Sequence, residues 1–246
     1  MDTKYGRIAA ELRAAITSGQ YSPGDTLPAI PELMERYHVA RDTVRDAIRA
    51  LSLEGLVTPL RGVGTVVRDT SPVALAYQPA APARTWSEQH GASATDRVMS
   101  SGLEPADAEI AERLSLAPGT QVVHRIRHQS VGSGVVQIHD QWIPGTIAEA
   151  IRTTGGGDVA NAASELSSDL FTLLARAGHA PRETTETIST RIADPDERDI
   201  MALPPEVPVL VTVRVTRDAA GNPVETSTFV GAGDRLSQSF TVQLDY

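Results

Sequence analysis

Apolar residues recur every four positions at Ile8, Leu12 and Ile16, so the chain opens on an amphipathic helix with one buried face. Ser18-Gly19 stops that helix, because glycine is favoured just past a helix C-terminus. Pro23-Gly24-Asp25 then reads as a turn, with proline pre-set in φ and glycine free to take positive φ. Leu27-Pro28 leads into a short second helix that carries Leu33, Met34 and Tyr37. After the tight turn His38-Val39-Ala40, a third helix buries Val44, Ala47, Ile48 and Leu51 and leaves Arg41, Thr43, Arg45 and Arg49 off the apolar stripe. Gly55-Leu56-Val57 ends that helix and begins a strand, Gly62-Val63-Gly64 reverses the chain, and Thr65-Val66-Val67 returns. Three helices and a glycine-turned hairpin spell a winged helix-turn-helix over residues 1–68.

Residues 69–84, from Asp69-Thr70-Ser71-Pro72 to Pro79-Ala80-Ala81-Pro82 and just beyond, are rich in proline and alanine and read as a semi-extended linker. Residues 85–246 then change pattern. Gln121 to Val131 and Val135 to Ile143 are β-branched runs separated by Gly132-Ser133-Gly134, a hairpin signal. Leu170, Leu173 and Leu174 have helical spacing, with Gly178 as the stop. Thr184 to Ile192 alternates like a strand, and Asp194-Pro195-Asp196 opens a short helix ending near Leu203. Val207 to Thr216 and Val224 to Val230 are strands joined across Gly221-Asn222-Pro223, and Phe240 to Leu244 is a closing strand. Hairpins with inserted helices predict an α+β domain built on an antiparallel sheet.

Composition narrows the classes. There are no cysteines, which excludes disulfides and thiolate metal sites. No apolar run is long enough to span a bilayer and no signal-peptide core opens the chain, so a cytoplasmic protein without a membrane partner is expected. The net charge is −9, but it is uneven. Residues 1–70 hold 9 Lys/Arg and 9 Asp/Glu, whereas residues 71–246 hold the other 13 Lys/Arg and 22 Asp/Glu. An acidic C-terminal part repels nucleic acid at long range, so contact with DNA falls to the neutral N-terminal part.

Arg41 and Arg45 lie i,i+4 at the start of the third helix, where a guanidinium can donate to both O6 and N7 of guanine in the major groove. The segments Tyr21-Ser22-Pro23-Gly24, Leu27-Pro28, Thr43-Val44-Arg45, Glu54-Gly55-Leu56-Val57 and Arg61-Gly62-Val63-Gly64-Thr65 follow in one order and spacing. In these the chain resembles the GntR family of bacterial transcription regulators. The resemblance implies base or phosphate contacts by Arg41 and Arg45 and a close approach of the wing glycine Gly62 to DNA, supported by Thr43, Arg61, Gly64 and Tyr5. Two departures stand out. Ala40 replaces the Ser or Thr usual before the first recognition arginine, and Pro31 stands where many relatives carry a polar DNA contact.

In the C-terminal part, Ala111-Glu112-Arg113-Leu114-Ser115-Leu116, Arg125-Ile126-Arg127, Pro208-Val209-Leu210, Gly221-Asn222-Pro223-Val224-Glu225 and Gly233-Asp234-Arg235 resemble the UTRA ligand-sensing domain of the HutC subfamily, whose fold is chorismate-lyase-like. That resemblance implies a small-molecule effector. Arg125 and Arg127, alternate residues on one strand, would grip an anion. By alignment with relatives the same site takes in Glu225, His139, Asp169, Phe171 and Trp86, with Gly231 standing where a tyrosine is usual. His124 and His128 share a strand face, but a metal site there would need a third ligand such as His139 or Asp140, and no metal or other cofactor is assigned. No nucleophile–base pair points to catalysis, so no enzyme is expected. The expectation is a dimeric repressor binding an inverted-repeat operator on double-stranded DNA, the homodimer matching a two-fold site. An effector-independent repressor, and a C-terminal domain with lyase-like activity, are the alternatives.

Overall fold

Thr3 starts the first helix by accepting a hydrogen bond from the Gly6 N–H at 3.2 Å, which satisfies one of the free donors at a helix N-terminus. The computed structural model describes residues 3–70, 73–77, 86–132 and 134–240. The chain divides into two compact units, one formed by Met1–Ala74, Ile192–Val209 and Ala232–Ser237, the other by Leu75–Arg191, Leu210–Gly231 and Gln238–Tyr246.

In the first unit, α1 (Lys4–Thr17), α2 (Ile30–Tyr37) and α3 (Arg41–Leu53) precede β1 (Val57–Leu60) and β2 (Gly64–Val67). The apolar stripes meet as expected: Ile8, Leu12, Leu33, Val44, Ala47, Ile48 and Leu51 share one core with Val57 and Val67 of the hairpin. Arg13 of α1 fastens α3 by a two-pronged ion pair to Glu54, at 2.6 and 2.5 Å. α2 ends at His38, whose backbone is left-handed, and α3 begins at Ala40 with no side-chain cap. β1 and β2 pair antiparallel from Val57↔Val67 to Leu60↔Gly64. Gly64 has φ of 124° and its missing Cβ would lie 2.7 Å from the Thr26 methyl, so backbone and space both demand glycine there. Beyond β2, the Arg68 guanidinium donates to the Gly55 carbonyl at 3.1 Å and pairs with Asp234.

The remaining elements are β3 (Val73–Tyr77), α4 (Trp86–His90), β4 (Ala94–Pro105), α5 (Ala108–Arg113), β5 (Gln121–Val131), β6 (Gly134–Pro144), α6 (Gly145–Thr153), α7 (Leu170–Arg176), β7 (Pro181–Ile192), α8 (Pro195–Met201), β8 (Pro208–Asp218), β9 (Pro223–Ala232) and β10 (Leu236–Phe240). Six strands form one sheet in the order β4-β5-β6-β9-β8-β7, and β4–β5, β5–β6 and β6–β9 run antiparallel. Successive strand residues point to opposite faces. Val123 therefore joins Ile143, Ile147, Ile151, Leu173 and Leu174 beneath α6 and α7, while Val122 joins Ala106, Ile110, Ala111 and Leu114 around α5.

Two sequence expectations change. The proline- and alanine-rich stretch contains the strand β3, paired with β10. Val73, Leu75 and Tyr77 alternate with alanine, a period of two that composition alone hides, and positions 71–72 and 78–85 of the expected linker lie outside the described residues. The closing strand runs Leu236–Phe240 instead of starting at Phe240, and residues 241–244 of the expected strand lie outside the described residues.

Candidate nucleic-acid interface and ligand site

On α3, Arg41 and Arg45 are exposed and make no ion pair among the described residues; Arg49 alone of this helix reaches a carboxylate, Asp46, at 3.9 Å. Surface salt bridges to Asp42 or Glu35 therefore do not occupy the two leading arginines. Both guanidiniums stand at the N-terminal end of a helix with nothing to break before meeting a base edge or phosphate. Thr43 lines an open groove with Lys4, Met34, Glu35, His38, Val39 and Ala40, and Tyr5 follows Lys4 at the start of α1, 42% exposed. At the hairpin, Arg61 and Gly62 form the exposed turn with Gly62 at φ of 80°, and Gly64 opens β2.

In the second unit, one face of the sheet is polar where a core would be apolar. The register pairs Arg125↔Gln141, Arg127↔His139 and Gln129↔Gln137, then Gln137↔Gly231, His139↔Phe229 and Gln141↔Ser227. These residues share a side by strand alternation. Glu225, fully buried, is the hub. Its Oε1 accepts from Arg214 Nε and from Thr216 Oγ1, each at 2.9 Å, and its Oε2 accepts from Ser227 Oγ at 2.7 Å and Gln141 Nε2 at 3.5 Å. Gln141 Oε1 in turn accepts from Arg125 at 3.3 Å. The Arg214 guanidinium lies over the Phe229 ring at 4.8 Å and the Phe171 ring at 5.4 Å, a cation–π arrangement. His139 stacks on Phe229 and meets Ser227 Oγ at 3.0 Å. Asp96 on β4 accepts two bonds from Arg127, at 3.0 and 2.5 Å, and a third from Gln129 Nε2 at 3.0 Å.

Charge within this network is almost balanced. Arg127 is matched by Asp96 and Arg214 by Glu225. His139 is held well below its ordinary pKa, first by burial and then by Arg127, Arg214 and Arg125, so it is neutral. Arg125 has no carboxylate partner; burial, then the nearby Arg127, push its pKa down to about 10, still above neutrality. Its Nε–H is buried without an acceptor. An orphan of that kind costs about 1–3 kcal/mol, which a ligand supplying the missing partner recovers.

Arg125, Arg127, His139 and Glu225 are thus brought onto one face, and Phe171 reaches it through Arg214. Asp169 is not part of the network: its carboxylate caps α7, accepting from the Thr172 N–H at 3.0 Å and the Thr172 hydroxyl at 2.6 Å. Trp86 is buried on α4 and donates from its indole to the Ser130 carbonyl at 2.8 Å. His124 and His139 lie on opposite sheet faces and cannot share a metal. His124 instead meets Asp140 at 3.0 Å and Glu104 at 3.2 Å and stacks on Trp142, and the described residues contain no metal-holding group of three. Sequence reasoning missed Gln129, Gln141, Arg214, Thr216, Ser227 and Asp96. Gln129 continues the alternation of Arg125 and Arg127, and Ser227 and Phe229 continue that of Glu225, so reading each strand at period two finds them. Asp96 carries no such signal.

A helix-turn-helix with unpaired arginines, on one chain with a sheet domain bearing a polar ligand face, defines a ligand-responsive DNA-binding regulator. The UTRA domain family matches residues 89–237, and the gntR family of bacterial regulatory proteins matches residues 4–67. The uncharacterized HTH-type transcriptional regulator SCO4628 of Streptomyces coelicolor is 28% identical over 96% of this chain and 91% of its own length. The HTH-type transcriptional regulator GgaR of Escherichia coli K12 is 26% identical over 91% of this chain and 84% of its own. The crystal structure of PhnF from Mycobacterium smegmatis shares the fold, with a TM-score of 0.59 at 24% identity over 96% of this chain and 99% of that one. The chain belongs to the GntR family of transcription regulators, and its UTRA domain fits the HutC subfamily. It is a regulator and not an enzyme: proteins of this family bind DNA, and UTRA domains bind small-molecule effectors.

Proposed function

We propose that the protein is a dimeric, cytoplasmic repressor that binds an inverted-repeat operator and changes its affinity when a small anionic effector binds the polar sheet face. In this reading residues 1–68 bind DNA, residues 69–84 are the linker, and residues 85–246 dimerise and sense the effector. Arg41, Arg45 and Thr43 read the major groove, while Arg61, Gly62, Gly64 and Tyr5 contact the backbone. The observation that carries it is the exposure of Arg41 and Arg45 without any carboxylate partner on a helix whose opposite side is buried. The effector half rests on Arg125, a buried cation facing Gln141 and Glu225 without a carboxylate of its own. No helix among the described residues is long and apolar enough to cross a membrane.

Fluorescence anisotropy tests the reading: the full-length protein is titrated against DNA from upstream of its own gene over a salt series, beside Arg45→Ala. Tight binding is expected, weakened by about 1–3 kcal/mol in the variant with a shallower salt slope if Arg45 also holds a phosphate. Equal binding of wild type and variant overturns the assignment of α3.

A further inference from the structure

Three atoms on the polar sheet face are buried and unmatched: Arg125 Nε, His139 Nδ1 and Gln129 Oε1. Their residues are 7%, 3% and 8% exposed, so water does not satisfy them from outside. The surrounding bonds decide what each one needs. Gln129 gives its amide nitrogen to Asp96, which leaves Oε1 as an acceptor in want of a donor. The Ser227 hydroxyl spends its single proton on Glu225, so in its bond with His139 it can only accept. His139 Nε2 is therefore the protonated nitrogen, and Nδ1 of the neutral ring is a second bare acceptor. Arg125 Nε is a cationic donor in want of an acceptor. The face thus asks for one anionic acceptor and two donors.

The charge of that acceptor follows from the ion pairs. Arg127 carries the right charge for a second anionic oxygen, but Asp96 already takes two of its N–H groups. Glu225 does the same to Arg214 through Nε. Within the network Arg125 is left as the cation without a carboxylate. A dianion there would face Asp96 and Glu225 with one uncompensated charge to answer two, and juxtaposed like charges are penalised in a desolvated site.

We propose that this face binds a small hydroxylated monocarboxylate, its carboxylate on Arg125 and its hydroxyls donating to His139 and Gln129, and that Asp96 sets the preference over phosphate esters by occupying Arg127. This deepens the effector reading above and rests on it. Asp96 neither reads DNA nor belongs to the arginine pair. It is a specificity residue acting through its neighbour.

The test is an NMR titration of the full-length protein labelled with nitrogen-15 at arginine Nε, the Arg125 signal being assigned with Arg125→Lys. The probes are sodium lactate, a monocarboxylate with one hydroxyl; inorganic phosphate at about pH 8, where it is chiefly dianionic; and glycerol. Lactate is expected to move the Arg125 Nε signal and to bind about tenfold more tightly than phosphate, with glycerol silent. In Asp96→Asn, of nearly the same size, the lactate-to-phosphate preference is expected to fall by about tenfold as Arg127 becomes available to the anion. Phosphate binding at Arg125 as tightly as lactate in the wild type overturns the monocarboxylate while leaving the anion site standing. No movement of Arg125 by either ion overturns both. An unchanged preference in a folded Asp96→Asn, or in Asp96→Ser if the first variant does not fold, overturns the role of Asp96.

Discussion

Glu225 is the group whose loss the second unit should feel most. Its side chain is wholly buried and accepts four hydrogen bonds, from Arg214, Thr216, Ser227 and Gln141. Glu225→Ala strands the Arg214 guanidinium, whose side chain is 19% exposed, and takes an acceptor from two buried hydroxyls. Breaking a buried ion pair from one side costs about 3–5 kcal/mol. Arg214 keeps its contacts with the Phe229 and Phe171 rings and some access to water, which sets the expected loss near the lower end, about 3 kcal/mol. Glu225→Gln keeps volume and one carbonyl acceptor and should lose about 2 kcal/mol, the worth of hydrogen bonds to a charged group. Urea denaturation followed by tryptophan fluorescence reads this unit selectively, because both tryptophans, Trp86 and Trp142, belong to it. In a double-mutant cycle with Arg214→Met, the pair should recover part of the loss, because the second change removes the stranded charge. A loss below about 1 kcal/mol for Glu225→Ala, or strict additivity in the cycle, would refute the view of Glu225 as the hub of a coupled network.

Further outcomes follow from single positions. Ala40→Ser supplies the side-chain cap that α3 lacks and should stabilise the first unit by about 1 kcal/mol, read as a rise in its thermal midpoint; no rise would mean that the free N–H groups at Ala40 are already satisfied. Gly233→Ala drives a Cβ to within 2.3 Å of the Pro208 carbonyl oxygen, so the backbone must shift; a loss of about 1–3 kcal/mol is expected in urea, and an unaffected variant would exclude that close approach. His139 has a folded-state pKa well below its ordinary value of 6.5. The unfolded chain takes up a proton there that the folded chain refuses, so the stability tied to His139 is present above that ordinary value and is lost as pH falls below it. His124 acts oppositely: burial lowers its pKa, but Asp140 and Glu104 outweigh burial and raise it, so its contribution is present at low pH and lost as pH rises through the raised value. His139→Gln should therefore flatten the acid side of the stability profile, and an unaltered acid limb in calorimetry at stepped pH would contradict the neutral buried ring.

The chain's periodicities determined the first unit almost completely. Ile8, Leu12, Val44, Ala47, Ile48 and Leu51 repeat at helical spacing, contacts within this unit are short in sequence, and the exposed arginines follow as the residues left over on the far side. The strands β5 to β9 were equally legible, because β-branched runs and Gly-rich turns are local signals. What only the tertiary structure decided is pairing across the sheet. Arg125 and Arg127 look equivalent along the strand, two positions apart on one face. They become different only because β4 places Asp96, 31 residues before Arg127, against one of them and not the other. Asp169, three residues ahead of Thr172, turns out to cap a helix, while Arg214 and Ser227, with no motif of their own, converge on Glu225 from adjoining strands. Hydrogen bonds and charge compensation act over about 3 Å of space whatever the separation along the chain. Sequence spacing can therefore name the face of a strand, but only strand order and register say which side chains meet on it.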